Sequence, residues 1–157
     1  MKYIKKFEGV NDINYSLLNA IEWDSRVDRV KKLIEEGADI EFRDPDNDNA
    51  SMLMTAIIRE REQIAMYLVE QGADLNHQDD DGVNALMCAG IYNSPFSTFQ
   101  LLIDAGAEWN LEDDEGREFI DFVIESKEEM IKEDYPEKYA EYYKRHLFKK
   151  DVKKYNL

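Results

Sequence analysis

Asp44, Asp46 and Asp48 alternate as the first three carboxylates of an EF-hand loop do, and oxygens at that spacing can converge on one calcium ion. The match then stops, because Asn49 stands where the loop needs glycine and Thr55 where a bidentate glutamate should close the shell. Asp79-Asp80-Asp81-Gly82 has the residue order of a tight turn and reads as one. His77 and His146 belong to no H-E-x-x-H or Cys/His zinc pattern. Cys88, between Met87 and Ala89, lacks the cationic neighbours that lower a thiol pKa and reads as an inert packing group. The sequence has no G-x-S-x-G, G-x-x-x-x-G-K-[ST] or G-x-G-x-x-G, so it offers neither a nucleophile elbow nor a phosphate cradle. The expectation is a chain with no cofactor, no metal and no catalytic residues, whose chemistry lies in exposed carboxylates.

The elements carrying those carboxylates form one domain, since 157 residues is close to the length of roughly 150 expected of one. Thirty-five acids against 20 Lys plus Arg give a formal charge of −15, which argues against direct binding to nucleic-acid phosphates or anionic membranes. Residues 138–157 hold seven Lys or Arg against Glu141 and Asp151, a net +5 that leaves −20 on residues 1–137. No apolar run approaches the ~18 residues of a membrane span, and the lysines near Met1 precede no apolar leader. A lone cysteine forms no internal disulfide and fits a reducing cytosol.

The chain repeats itself. Leu33-Ile34-Glu35-Glu36-Gly37-Ala38-Asp39 returns as Leu68-Val69-Glu70-Gln71-Gly72-Ala73-Asp74 and as Leu102-Ile103-Asp104-Ala105-Gly106-Ala107-Glu108. In each copy two apolar residues close an amphipathic helix, glycine supplies a left-handed cap, and alanine allows the next backbone to pack closely. An acidic turn and a second apolar helix follow, as in Ser51-Met52-Leu53-Met54-Thr55-Ala56 and Asn84-Ala85-Leu86-Met87-Cys88-Ala89. With its glycines 35 and 34 residues apart, the chain resembles the ankyrin-repeat family, whose period is about 33 residues and whose T-P-L-H-x-A signature is degenerate here.

The resemblance runs from about Asn14 to about Ile131 and implies an all-α solenoid of about four helix-turn-helix repeats. A capping repeat is expected over about 14–43, repeats over about 44–78 and 79–112, and a C-terminal repeat over about 113–132, together making a domain of 1–132. Ser94 before Pro95 reads as a helix N-cap. Residues 133–157 form a basic, aromatic C-terminal helix expected to pack on the last repeat, with Tyr139, Tyr143 and Leu147 on the covering face. Trp109 fills the position of Ile40 and Leu75 in the other copies and is expected to pack beneath its turn.

The family implies a protein-binding concave face built from turn tips and first helices. Carried over by position, it comprises Glu22 and Trp23; Arg43, Asp46, Asp48, Ile58 and Arg59; Gln78, Asp80, Asp81, Val83, Ile91 and Tyr92; and Glu112, Asp114, Glu115, Arg117 and Glu125. Trp23, Arg59 and Tyr92 lead as anchors, because such side chains bring large area with a polar handle; Trp23 has the alternative of covering the N-terminal cap. The functional expectation is a non-enzymatic, cytoplasmic interaction module, monomeric outside its complex, that docks a basic surface of a partner protein. The alternative is an acidic inhibitor, of the immunity or anti-defence kind, that blocks a nucleic-acid-binding or catalytic groove of an enzyme.

Overall fold

The computed structural model describes residues 12–24 and 26–155, with side chains described as far as Arg145. The lysines near Met1 and the side chains of His146 and Leu147 lie outside the described residues. Helices α1 (Ile13–Trp23) and α2 (Val27–Glu35), α3 (Met52–Ile58) and α4 (Glu62–Glu70), and α5 (Ala85–Ile91) and α6 (Phe96–Asp104) form three helical pairs. A 3-10 turn over Phe119–Phe122 and helix α7 (Glu125–Asp134) form a fourth, and α8 (Pro136–Tyr155) follows. The first members α1, α3, α5 and the 3-10 turn pack side by side as an inner layer, while α2, α4 and α6 form an outer one.

Local chemistry sets these boundaries. Asp12 accepts from the Asn14 amide at 2.8 Å, Ser51 Oγ from Met54 at 3.2 Å and Asn84 Oδ1 from Met87 at 3.0 Å, so each inner α-helix starts on a side-chain cap. The outer helices stop at glycines: Gly72 has φ 85°, and the Ala73 amide beyond it donates to the Leu68 carbonyl at 3.0 Å. Ala38 and Ala107 make the same bond to Leu33 and Leu102. The first finger turn adds an antiparallel hairpin, β1 (Arg43–Asp44) with β2 (Ala50–Ser51), pairing Arg43 with Ser51 and Asp44 with Ala50.

The core runs through the stack between the two layers, with Leu17, Ile21, Leu53, Met54, Leu68, Leu86, Met87, Phe99, Leu102 and Phe119 fully buried. A Cβ added at Gly90 would lie 2.7 Å from Phe122 Cβ, so α5 and the 3-10 turn meet at the backbone. Loops are keyed to their neighbours by side chains. Asn14 accepts from the Asp39 amide at 2.7 Å, Glu41 from Asp74 at 2.8 Å, and Asn76 from Glu108 at 2.9 Å.

Three expectations are corrected. The first helix of the C-terminal repeat is a single 3-10 turn, because Val123 and Ile124 are extended and swing the chain straight into α7. The N-cap of α6 is Pro95, in extended backbone, and Ser94 is a buried residue of the preceding loop. On α8 the buried side is that of Tyr142, which is 5% exposed, and the half-buried Tyr139, whereas Tyr143 faces solvent. Tyr135, Tyr139 and Tyr142 follow i, i+4, i+7 spacing, which keeps them on one face starting from the residue that touches Trp109.

Candidate interaction surface

Asp44, Asp79 and Asp113 occupy the same corner of the three finger turns, and each folds its own turn by accepting backbone amides. Asp44 Oδ1 takes the Asp46 amide at 3.1 Å. Asp79 Oδ1 takes Asp81 at 3.1 Å and Val83 at 2.8 Å, and Asp113 Oδ1 takes Glu115 at 3.0 Å and Arg117 at 2.8 Å. The carboxylates that alternate like calcium ligands therefore include a turn former, and among the described residues no cluster of His, Cys, Asp and Glu could hold a metal ion.

Consecutive tips are zipped together. The Asp80 amide donates to the Asp48 carbonyl at 2.8 Å and the Asp114 amide to the Asp81 carbonyl at 3.1 Å. Asn49, absent from the face that the resemblance implies, donates Nδ2 to both Asp80 oxygens at 2.9 Å. Gln78 Nε2 bridges the Gly82 and Glu112 carbonyls at 2.5 and 2.8 Å. A Cβ at Gly82 would come within 2.9 Å of the Asp113 Cα, so the second and third fingers touch. The result is an acidic ridge in which Asp48, Asp81 and Asp114 have no cationic partner among the described residues. The cations expected beside it are engaged internally: Arg43 with Glu41 at 2.9 Å, and Arg117 with Asp113 at 2.7 Å and Glu115 at 3.0 Å while lying over the Phe122 ring. Asp46, Glu112 and Val83 complete the finger positions, with Val83 half-buried.

A second group lies at the C-terminal ends of the inner helices. Arg59 pairs with Glu22 at 2.7 Å and sets its guanidinium over the Trp23 ring, 5.6 Å from the centroid. Trp23 is 70% exposed, so among the described residues it does not cover an apolar cap. Ile91 and Tyr92 are 46% and 48% exposed, Ile58 is half-buried, and Ile124 and Glu125 are exposed in the fourth repeat. Ile124 was legible only as part of an apolar run. Arg61, two residues beyond Arg59, instead turns inward and donates to the Ile21 and Glu22 carbonyls at 3.4 and 3.2 Å.

The comparisons with known proteins bear on this frame. A family model described as "Ankyrin repeats (3 copies)" matches residues 17–113. The chain belongs to the ankyrin-repeat family. Ankyrin repeats are generally protein–protein interaction modules and typically non-enzymatic. A search among curated proteins finds no match. In ankyrin terms the zipped acidic turns are the fingers and α1, α3 and α5 the first helices. Trp109 packs edge-on against Phe119 and Tyr135 beneath its turn, and Cys88 is a buried helix residue whose thiol burial pushes up to about 12. Among the described residues no helix is long and apolar enough to cross a membrane.

Proposed function

We propose that this ankyrin-repeat chain is a non-enzymatic binding module, monomeric outside its complex and working in a cytosol, that captures a basic partner protein on its concave face. The observation that carries the reading is Trp23: a large aromatic side chain left mostly in water yet held under Arg59, an arrangement that suits a contact surface better than a core. Tyr92 and Ile91 repeat the exposure one helix pair beyond Ile58 and Arg59, and the acidic fingers supply the field that draws a cationic surface in. The solenoid would span residues 1–132, with 133–157 as a covering helix. Affinity capture from the native host with the parent chain and with a Trp23→Ala/Tyr92→Ala variant tests the reading. Partners retained by the parent and released by the variant are expected; identical recovery by both would place binding elsewhere.

A further inference from the structure

Trp23, Arg59 and Tyr92 hold one position in three repeats, each three residues beyond a buried alanine, Ala20, Ala56 or Ala89, where an inner helix ends. The backbone then turns alike in the second and third repeats. Glu60 has φ 55° and Asn93 φ 50°, and the Arg61 and Ser94 amides close on the Ala56 and Ala89 carbonyls, each at 2.8 Å. The side chains differ in how they are held. Trp23 lies under Arg59, and Arg61 ties the Ile21 and Glu22 carbonyls just before it. The half-exposed side chain of Tyr92 has neither a hydrogen-bond nor a ring partner among the described residues. Its direction depends on the backbone that carries it.

We propose that Lys127, in the fourth repeat, is the positioning residue that fixes the direction of Tyr92. Its Nζ donates to the Asn93 carbonyl at 2.9 Å, and to Asn93 Oδ1 and the Ser94 carbonyl at 2.5 Å each. An ammonium has three donors, so all three go to the two residues that follow Tyr92. In a chain with 35 acids, Lys127 makes no ion pair among the described residues. The cation is spent on the shape of a corner, not on a countercharge. Left-handed backbone admits Asn more readily than most residues, yet it persists only where the surroundings hold it. Without the tie, the peptide between Tyr92 and Asn93 turns and takes the ring with it. The consequence for binding rests on the concave face being the contact surface; the hold on Tyr92 does not.

The test is NMR of the isotope-labelled full chain, parent and Lys127→Met, with the Tyr92 and Trp23 signals identified by their loss in Tyr92→Phe and Trp23→Phe. Tyr92 should show the couplings of one χ1 rotamer in the parent and averaged couplings in Lys127→Met. The Asn93 and Ser94 amides should exchange at least tenfold faster in the variant, with Trp23 unchanged. Lys127→Gln keeps two donors and serves if the Met variant does not fold; its Tyr92 couplings should move the same way by less. Couplings unchanged in the variants, already averaged in the parent, or loosened at Tyr92 and Trp23 alike overturn the proposal. A partner captured by the parent should leave Lys127→Met at least fivefold faster. Dissociation that Tyr92→Ala speeds and Lys127→Met does not also overturns it. Capture indifferent to Trp23→Ala/Tyr92→Ala, with Tyr92 averaged in Lys127→Met, removes the concave surface and leaves the tie standing.

Discussion

Asp79 and Asp113 hold the same corner of consecutive finger turns, yet only Asp113 has a guanidinium beside it. Four residues on, the third finger has Arg117, where the second has Val83. Burial pushes the Asp113 carboxyl up, but the Arg117 amide and guanidinium outweigh it and hold the group below the usual carboxylate range. Asp79, desolvated and close to the charges of Asp81 and Asp48, is raised despite its two amide bonds.

The two therefore respond to substitution with opposite sign. Asp79→Asn keeps the Oδ1 acceptor and removes a partly buried charge, so it should raise Tm at pH 7 by a few degrees at most. Asp113→Asn loses a charge-assisted pair and should cost about 1–3 kcal/mol. The pH dependence follows. The raised Asp79 is destabilising above its folded pKa, and the advantage of Asn vanishes as pH falls through that value toward the ordinary carboxylate pKa near 3.9. Asp113 contributes stability above its unfolded pKa and loses it as pH falls through its lower folded one. Thermal melts between pH 3 and 7 would show both trends.

Glycines should divide by mechanism. Gly72 has open space around it, so Gly72→Val acts through its φ of 85° and should cost more than about 1 kcal/mol. Gly90 has no left-handed angle, and alanine there improves helix propensity, yet its Cβ would strike Phe122. Gly90→Ala should thus be destabilising by about 1–3 kcal/mol in denaturant titration.

The helix-ending pattern was legible because a left-handed cap permits few residues besides glycine, and three copies in register mark three helix ends. The finger turns were legible from their Asp and Gly residues, whereas the contact positions on them came from the family resemblance. What escaped includes two left-handed helix exits at residues other than glycine, Glu60 and Asn93, where the next amide closes a local bond, Arg61 to Ala56 and Ser94 to Ala89, each at 2.8 Å. Asn49 bonds a residue 31 positions away. Spacing within α8 groups Tyr139 with Tyr143 and Leu147 but does not say which face meets Trp109; Tyr135, the residue just before α8, is the one that packs against Trp109.

Tyr142→Ala should destabilise by about 2–4 kcal/mol, as loss of a buried aromatic does, and Tyr143→Ala by less than about 0.5 kcal/mol. Deleting residues 136–157 should lower Tm and solubility by uncovering the last repeat, since it also removes the Tyr139–Glu128 and Arg145–Glu118 contacts. A truncated chain melting with the parent would show α8 to be an appendage.

Arg59 and Arg61 differ by two positions and should differ in kind. Arg59→Ala breaks an exposed pair and should change stability by about 0–1 kcal/mol, with its effect appearing in partner dissociation. Arg61→Met strips donors from two carbonyls of α1 and should cost about 1–3 kcal/mol of stability.

Replacing Asp80, Asp81, Asp114 and Glu115 with their amides should slow association with a basic partner and flatten its salt dependence, leaving dissociation nearly unchanged. Trp23→Ala or Tyr92→Ala should do the reverse, at about 2 kcal/mol or more each. Stopped-flow association at two ionic strengths, with surface-bound dissociation, separates the two.

The loop amides of Asp39, Asp74 and Glu108 are each held by a side chain 25 to 33 residues earlier, from Asn14, Glu41 and Asn76. Their surroundings are exposed, so protection against deuterium can come only from those bonds, and each bond breaks when its earlier element parts from the loop it holds. Three amides along the stack thus act as built-in gauges of local opening. Their exchange rates, read in one experiment, would show whether the solenoid loosens from one end or parts everywhere at once.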